Sequence, residues 1–232
     1  MPDPTTPSRV PDADRDAVLR ILRTTRSVRR RLDVHRPVDL GLVHTALEVA
    51  LQAPNGSNDQ PWHWIVVPDP GRRAALARCY REAARPYLAA MTRRAEEDSV
   101  GRGVLAASLR LAEVLDQIPV LIIPRLEVGH DHYADLFDQL RYPPSAEHAA
   151  HSVYYGSIWP AIWSLMLALR AQSLASAVTT LHLTRMAEAQ DILGLPAGVT
   201  QAALLAVAHP TGDTFRAAPR RGLDTVLHHD TW

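Results

Sequence analysis

The stretch Ala53–Val67, "APNGSNDQPWHWIVV", joins a run of loop-forming residues to an apolar segment rich in aromatic and β-branched residues. Pro54 ends the helix predicted before it, because proline lacks a backbone N–H and its ring clashes with the preceding turn. The segment "PWHWIVVP" (61–68) has the composition of a β-strand. Residues 54–58 contain more loop formers than a simple turn needs, so this loop is a candidate ligand-binding rim.

Helices and strands follow one another irregularly around this stretch, and we find no internal repeat. Helical spacing of apolar residues predicts helices at about 13–25, 39–53, 70–88, a segment ending near 117, 154–172 and 184–195. Short apolar segments predict strands at 61–68, 119–124, 173–183 and 201–210. Residues 119–124 are continuously apolar, which predicts a strand covered on both faces. We therefore predict that residues 13–232 form a single α+β domain.

Three further segments predict less regular structure. Residues 1–12 are polar and proline-rich, which predicts a disordered segment without the apolar stretch of a secretory signal. A charged, glycine-containing stretch at 92–103 separates two of the predicted helices. Residues 125–150 are acidic and predict a long irregular loop.

Histidines in and beside that loop raise the question of a metal site. His130, His132, His148 and His151, with Asp131 and Asp135, are residue types that bind zinc. No complete zinc-binding or catalytic motif accompanies them, so we expect structural or solvent-exposed roles and no metal.

Composition excludes several classes of protein. The 25 basic residues, all of them arginine, balance 25 acidic residues, which argues against a general nucleic-acid-binding surface. One cysteine allows no disulfide framework. The longest apolar run, 158–169, contains Pro160 and Ser164 and is too short to span a bilayer. We therefore expect a soluble, cytoplasmic protein that binds neither nucleic acid nor membrane.

Four short segments carry groups that suit a ligand, and each also has a plain structural interpretation. Guanidinium groups and hydroxyls at 24–31 suit a phosphate ester, or form a solvated basic face. Residues 55–58 offer amides, a hydroxyl and a glycine, or simply connect a helix to a strand. Residues 178–181 present threonines at a strand end, or an exposed strand face. Arg216 and Arg220 are ligand-binding or surface tail residues. There is no GxSxG, GxGxxG or GxxxxGK[ST] motif.

In their order along the chain, these segments resemble the FMN-dependent nitroreductase family. The resemblance covers about 13–232 and rests on "RSVR" (26–29), "APNGSNDQPW" (53–62), "GSIWPAIWSLMLALRAQSLASAVTT" (156–180), "ILGLP" (192–196) and a tail arginine. It implies an α+β fold with a central, mainly antiparallel sheet flanked by helices. It also implies an intertwined homodimer with FMN at the subunit interface.

The resemblance assigns roles to individual residues. Arg26, Ser27, Val28 and Arg29 match the segment that binds the phosphate and ribityl chain, and Arg220 matches the residue that closes over the phosphate. Asn55, Gly56 and Ser57 match a loop that reaches the flavin of the neighbouring subunit, followed by polar positions at Asn58 and Gln60. Thr179, Thr180 and Leu181 match the segment beside the isoalloxazine, with the Thr180 region donating a backbone N–H to flavin N5 as the catalytic contact.

Two departures from the family pattern affect the expected site. Thr25 stands where relatives often have an arginine, so the phosphate charge must be met by Arg26, Arg29 and Arg220. Trp159 and Trp163 stand where many relatives have smaller or polar residues, which predicts an unusually shaped pocket.

The activity implied by the resemblance is ping-pong reduction of an electron-poor small molecule, a nitroaromatic or a quinone, with NADH or NADPH as donor. Two alternatives remain at this point. One is an FMN-dependent dehydrogenase, oxidase or tailoring enzyme acting on a natural product on the same fold, and the other is a non-catalytic flavin-binding protein.

Overall fold

The computed structural model describes residues 11–95, 99–129, 131–143 and 146–232. Within these ranges the α-helices are α1 Asp12–Thr24, α2 Leu40–Ala50, α3 Pro70–Ala95, α4 Ser99–Val114, α5 His132–Gln139, α6 Ala146–Gly156, α7 Trp159–Ala171 and α8 Met186–Leu193. The strands are β1 Trp62–Val67, β2 Val120–Leu126, β3 Ala175–Thr179, β4 Thr200–Gln201 and β5 Leu204–Ala208. Most of the segment predicted to be disordered, residues 1–10, lies outside the described ranges, as does His130.

The strands form one antiparallel sheet in the order β1-β2-β5-β3, with β4 paired to β2. The predicted α+β fold with a central antiparallel sheet is confirmed. β2 lies inside the sheet, and its side chains alternate between two hydrophobic clusters, Ile122 in one and Leu121 and Ile123 in the other. Both faces of β2 are therefore covered, as its continuous apolar sequence predicts.

Helices cover the two faces of the sheet. Residues of α2, α6 and α7 pack with one face, and residues of α3, α4 and α8 pack with the other. α7 buries Ile162, Leu165 and Leu169 almost completely. Trp159 and Trp163 of the same helix keep 37% and 41% of their surface exposed, so α7 is not covered on every side within one chain.

The structure corrects three predicted boundaries. α3 continues to Ala95 and α4 begins at Ser99, so most of the stretch 92–103 is helical. The predicted loop 125–150 contains α5 and the start of α6, and Tyr133 of α5 is buried against Tyr154 of α6 with ring centroids 6.3 Å apart. Such packing makes a short amphipathic helix stable where its sequence signal is weak.

The predicted helix 154–172 is two helices, α6 and α7, separated at Ser157 and Ile158. The Ser157 hydroxyl donates to the carbonyl of Val153 at 2.7 Å and accepts the Gly56 N–H at 3.0 Å, so it links the end of α6 to the loop before β1. Pro160 lies in the first turn of α7, where its missing N–H has no intrahelical partner to lose. In the described ranges, no helix has both the length and the apolarity that a membrane crossing requires.

Candidate functional site

The segment 26–29 lies along β3, the strand at one end of the sheet order. The Val28 N–H donates to the Ser176 carbonyl at 2.8 Å, and the Val178 N–H donates to Ser27 Oγ at 3.1 Å. Arg29 Nη2 donates to the Val178 carbonyl at 3.3 Å. These bonds bring together two of the predicted ligand-binding segments, which are distant in the sequence.

A cavity of about 710 Å³ opens beside this segment. Its wall comprises the six residues Arg26 to Arg31, with Gly103, Val104 and Ala107 of α4 and Pro219 of the tail. Arg26, Ser27 and Arg29 are half-buried. Guanidinium groups in partly desolvated surroundings bind phosphate more strongly than they do in open water, so this cavity suits an anionic ligand.

A second cavity, of about 270 Å³, adjoins the first because Arg29 lines both. The residues that line it are Arg29, Tyr80, Tyr87, Ser108, Trp159, Val178, Thr179, Thr180 and Leu181. Three aromatic side chains therefore face a strand end that carries hydroxyl and backbone groups. Such walls suit a flat, aromatic ligand group.

Tyr80 is the most deeply buried of these aromatic residues, with 2% of its surface exposed. Burial raises the pKa of the Tyr80 phenol, and the neighbouring Thr179 hydroxyl and Arg29 guanidinium oppose that shift. Tyr80 is therefore neutral at physiological pH and keeps a hydroxyl that can donate or accept a hydrogen bond at the cavity wall.

The turn after Thr180 contains a buried histidine, His182. This residue belongs to a 3₁₀ turn, Leu181–Arg185, and is fully buried. Burial lowers the pKa of His182 to about 4, so the ring is neutral at physiological pH. The buried imidazole therefore adds no charge to the segment that lines the cavity, and both of its ring nitrogens lack a hydrogen-bond partner among the described residues.

The loop before β1 lies outside both cavities of its own chain. A Cβ built at Gly56 would lie 2.8 Å from Val153 Cγ1, so a larger residue fits there only if Val153 moves. Asn55 Oδ1 accepts the Gln60 N–H at 2.9 Å, and Ser57, Asn58 and Gln60 all have positive φ. Strain of this kind costs stability and often accompanies function.

Arg220 and the histidines also differ in placement from what the sequence suggests. The Arg220 side chain is exposed and donates to the Pro219 carbonyl at 2.9 Å, so Pro219, and not the Arg220 guanidinium, lines the larger cavity. His132 lies on α5, and His148 and His151 lie on α6. Among the described residues, no three metal-ligating side chains form a group that could hold an ion.

Several cavity residues escape sequence reasoning. Tyr80 and Tyr87 lie two turns apart on α3, and Gly103 and Ala107 lie one turn apart on α4, so each pair faces one side of its helix. This spacing is visible in the sequence, but it is equally typical of a helix that packs against a core. The spacing indicates a binding surface only once the structure shows that these helix faces lie opposite the edge of the sheet.

Comparison with known proteins gives this arrangement a family. The model of the "Nitroreductase family" matches residues 22–209. The chain belongs to the nitroreductase family. The match spans the segment at 26–29, the loop before β1 and the end of β3, which confirms the resemblance inferred from those residues.

Individual relatives of the nitroreductase family agree with this result. A Thermus thermophilus protein described as an NADH dehydrogenase is 28% identical over 204 residues, which cover 86% of this chain and 93% of that protein. Oxidised iodotyrosine deiodinase, solved with FMN and 3-iodo-L-tyrosine, has a TM-score of 0.67 at 19% identity, over 93% of this chain and 100% of that one. The FMN and NADPH-dependent nitroreductase NfnB from sphigopyxis sp. strain HMH has a TM-score of 0.61 at 21% identity, over 93% and 99%. The two structures show a shared fold, and the family match with the Thermus relative supports an oxidoreductase function.

Proposed function

We propose that this protein is an FMN-dependent oxidoreductase that takes electrons from NADH or NADPH and reduces an electron-poor small molecule, such as a nitroaromatic or a quinone. The observation that carries the proposal is the pair of adjoining cavities joined at Arg29, one basic and one aromatic. FMN has the same division, with a phosphate at one end and a flat ring system at the other. Residues 13–232 act as a single FMN-binding domain in this proposal.

The residues of the two cavities fit the chemical groups of FMN. Arg26 and Arg29 offer guanidinium forks to the phosphate, and Ser27 lies between them in the same wall. Tyr87 and Trp159 offer apolar surface to the ring, and Thr179 to Leu181 offer polar groups to its edge. When bound, FMN supplies the redox chemistry, since protein side chains do not carry it themselves.

The chain's own residues bind and orient the cofactor and its reactants, and they exclude water from the site. With FMN bound, a backbone N–H near Thr180 would donate a hydrogen bond to flavin N5, and Arg26 or Arg29 would stabilise negative charge at the ring electrostatically. The aromatic walls hold the donor and then the acceptor flat in the same place, which makes the cycle ping-pong. No acid–base pair is required of the protein.

The donor and acceptor classes draw support from the relatives. The Thermus relative is described as an NADH dehydrogenase and NfnB as FMN and NADPH-dependent. The aromatic side chains of the smaller cavity favour a flat acceptor over a long aliphatic one.

The proposal includes a homodimer. Asn55, Gly56 and Ser57 lie outside the cavities of their own chain, which fits a role at the flavin of a second subunit. Trp163 exposes 41% of its surface on α7, and a large apolar side chain so exposed is typical of an interface.

A spectral and kinetic experiment tests the proposal. Purified protein mixed with FMN should retain about one flavin per chain after gel filtration and oxidise NADH or NADPH when a nitroaromatic or quinone is added. The double variant Arg26→Ala/Arg220→Ala should bind FMN more weakly. A protein that ignores added FMN would contradict the whole proposal, and unchanged affinity in the double variant would contradict the phosphate site alone.

One specific observation favours a second enzymatic function on the same scaffold. Trp159 and Tyr87 line the aromatic cavity, and the structurally similar deiodinase was solved with an amino-acid substrate, 3-iodo-L-tyrosine. A tailoring enzyme or dehydrogenase that acts on a natural product would show flavin reduction by the organic substrate and slow turnover with nicotinamide.

A further inference from the structure

A second group of arginine side chains lies around the ring of Phe215 in the C-terminal tail. The guanidinium carbon of Arg170 is 3.8 Å from the ring centroid, and that of Arg31 is 4.8 Å from it. A ring contacted by two guanidinium groups orients both of them, while their positive charge remains available to an anion.

Two cavities meet at Arg170. One of about 370 Å³ has Arg20, Arg170 and Ser173 in its wall, and one of about 600 Å³ has Arg36, Arg170 and Ser173. Neither wall contains Arg26 or Arg29, so these cavities are separate from the proposed flavin site.

The positive charge around Arg170 is only partly offset, by Asp213 in both cavity walls and by Asp33 near Arg36. Among the described residues, however, no carboxylate lies within ion-pair distance of Arg20, Arg31, Arg36 or Arg170. The Nε of Arg170 is buried and has no hydrogen-bond partner in that part of the chain. A buried donor without a partner costs free energy.

Burial lowers the pKa of the Arg170 guanidinium, and the nearby charges of Arg20 and Arg31 lower it further. Burial and the charge of Arg36 likewise lower the pKa of the His209 imidazole, and the Asp33 carboxylate opposes that shift. Like charges are thus held near one another, an arrangement that an anionic ligand stabilises.

The backbone that carries these side chains is anchored before any ligand binds. The Thr211 N–H donates to the Arg31 carbonyl at 2.9 Å, and Arg31 Nη1 donates to the Thr214 carbonyl at 2.9 Å. Ser173 has a φ of 62°, a conformation in which glycine would be unstrained. Ser173 is strained where glycine would not be. Unlike glycine, however, it offers a hydroxyl to the two cavities that it lines.

We propose that Arg20, Arg36, Arg170 and Ser173 form a binding site for the phosphoryl group of a small molecule. A phosphoryl group carries up to two negative charges and several acceptor oxygens, so it can meet guanidinium groups that approach from different sides. The site is separate from the proposed flavin site: Arg31, which contacts the Phe215 ring, lines the larger flavin cavity and neither of the two cavities at Arg170.

Calorimetric titration of inorganic phosphate into the full chain saturated with FMN tests the site, with chloride used to hold ionic strength constant. We expect saturable binding of about one phosphate per chain. Arg170→Gln should weaken it at least about tenfold, because a charge-assisted hydrogen bond is lost. Arg20→Gln, a change at the exposed rim that leaves the core intact, should weaken it about threefold.

Arg23→Gln is the matched control, because Arg23 lies on the same helix as Arg20 and lines neither cavity. It should bind phosphate as the unaltered chain does. Ser173→Gly should bind more weakly although its stability is equal or higher, which separates ligand binding from packing. Absence of saturable binding, or unchanged binding in both Arg170→Gln and Arg20→Gln, would overturn the proposal.

Two further measurements complete the test. One distinguishes a nucleotide from a free phosphoryl group as the ligand, and the other distinguishes the Arg170 site from the proposed flavin site. Adenosine 2′,5′-bisphosphate that binds more tightly than inorganic phosphate would identify a nucleotide as the source, and equal affinity would identify the phosphoryl group alone. Arg26→Gln should leave phosphate binding unchanged even if it abolishes FMN binding. If Arg26→Gln removes the phosphate signal, the titration reports the proposed flavin site and the Arg170 site is refuted.

Discussion

Ser27 Oγ accepts a 3.1 Å hydrogen bond from the backbone N–H of Val178, a residue 151 positions later in the chain. Val178 belongs to β3, whose outer edge has no neighbouring strand in the sheet order. Ser27 therefore satisfies a backbone donor at the sheet edge, and it also fixes Arg26 and Arg29 beside the cavities. This one hydrogen bond therefore covers part of the sheet edge and also positions the residues proposed to bind the FMN phosphate.

Replacing Ser27 by alanine tests that contact. Ser27→Ala leaves the Val178 N–H without its acceptor, so we expect a loss of about 1–2 kcal/mol in the free energy of unfolding and weaker FMN binding. Urea denaturation and fluorescence titration with FMN measure the two effects. Ser152→Ala, an exposed change on α6, should alter neither, and a stability loss without any loss of FMN affinity would contradict the assigned position of the cofactor.

Arg29 is the residue that both cavities share. Arg29→Gln removes its charge from the phosphate end and its bond to the Val178 carbonyl, so FMN affinity should fall by about ten- to a hundredfold. Arg78→Gln, on the exposed side of α3, is the control. Arg220→Ala alone should have a smaller effect than Arg29→Gln, because the Arg220 side chain is exposed and bonded to Pro219; the reverse order would show that the tail rearranges over the ligand.

Gly56→Ala tests the fit of the loop before β1. The added Cβ would lie 2.8 Å from Val153 Cγ1, so the variant should lose about 1–3 kcal/mol of stability by overpacking. Val153→Ala in the same chain should restore part of the loss, as a denaturation series would show. Gly156→Ala is the control, since a Cβ there meets no atom within 4 Å. Equal losses in the two glycine variants would mean that backbone freedom, and not the Val153 contact, sets the cost.

His182 predicts how stability depends on pH. Its pKa is about 4 in the folded chain against an ordinary value of 6.5, so the unfolded chain binds the extra proton first as pH falls. This contribution to stability is therefore complete above about pH 6.5 and is lost toward pH 4, with a slope of at most about 1.4 kcal/mol per pH unit. Urea midpoints at several pH values should give a flatter profile for His182→Gln than for the unaltered chain. The exposed His44→Gln should keep the original slope; a slope that survives in His182→Gln would assign the effect to other groups.

Trp163 tests the proposed dimer. Trp163→Arg places a charge on the exposed face of α7, and it should yield a monomer by light scattering because charged groups at an apolar interface must be desolvated. That monomer should hold FMN weakly, because the loop at Asn55–Ser57 would no longer reach a second subunit. A monomer of the unaltered chain that retains FMN would contradict the shared-site proposal.

Sequence reasoning predicts the sheet well, because strands such as Trp62–Val67 and Val120–Leu126 are short, apolar and bounded by proline or polar residues. It fails where stability comes from distant contacts. Tyr133 makes α5 part of the core through Tyr154, and nothing local to residues 125–150 signals that packing. The break between α6 and α7 likewise depends on Ser157 bonding to Gly56, far away in the chain.

The residues of the proposed site also fall into two groups, those that the sequence predicts and those that only the packing of distant segments reveals. The segment at Arg26–Arg29 is predictable because its residue types suit phosphate, and Thr179–Leu181 because a recognisable family pattern contains it. Tyr80 and Tyr87 become site residues only through the packing of α3 over the strand end, which no short motif encodes. The roles assigned to the site residues inferred from the sequence stay predictions until the variants are measured.

The position of Ser27 and Val28 on the outer edge of β3 also bears on how the protein avoids aggregation. An uncovered strand edge is a template on which another chain can pair. Here the covering segment is the one proposed to hold the cofactor, so a ligand that tightens it would also shield the edge. Retention of flavin during purification would then report on quality of folding as well as on activity, and flavin-free protein should be the fraction most prone to aggregate on storage.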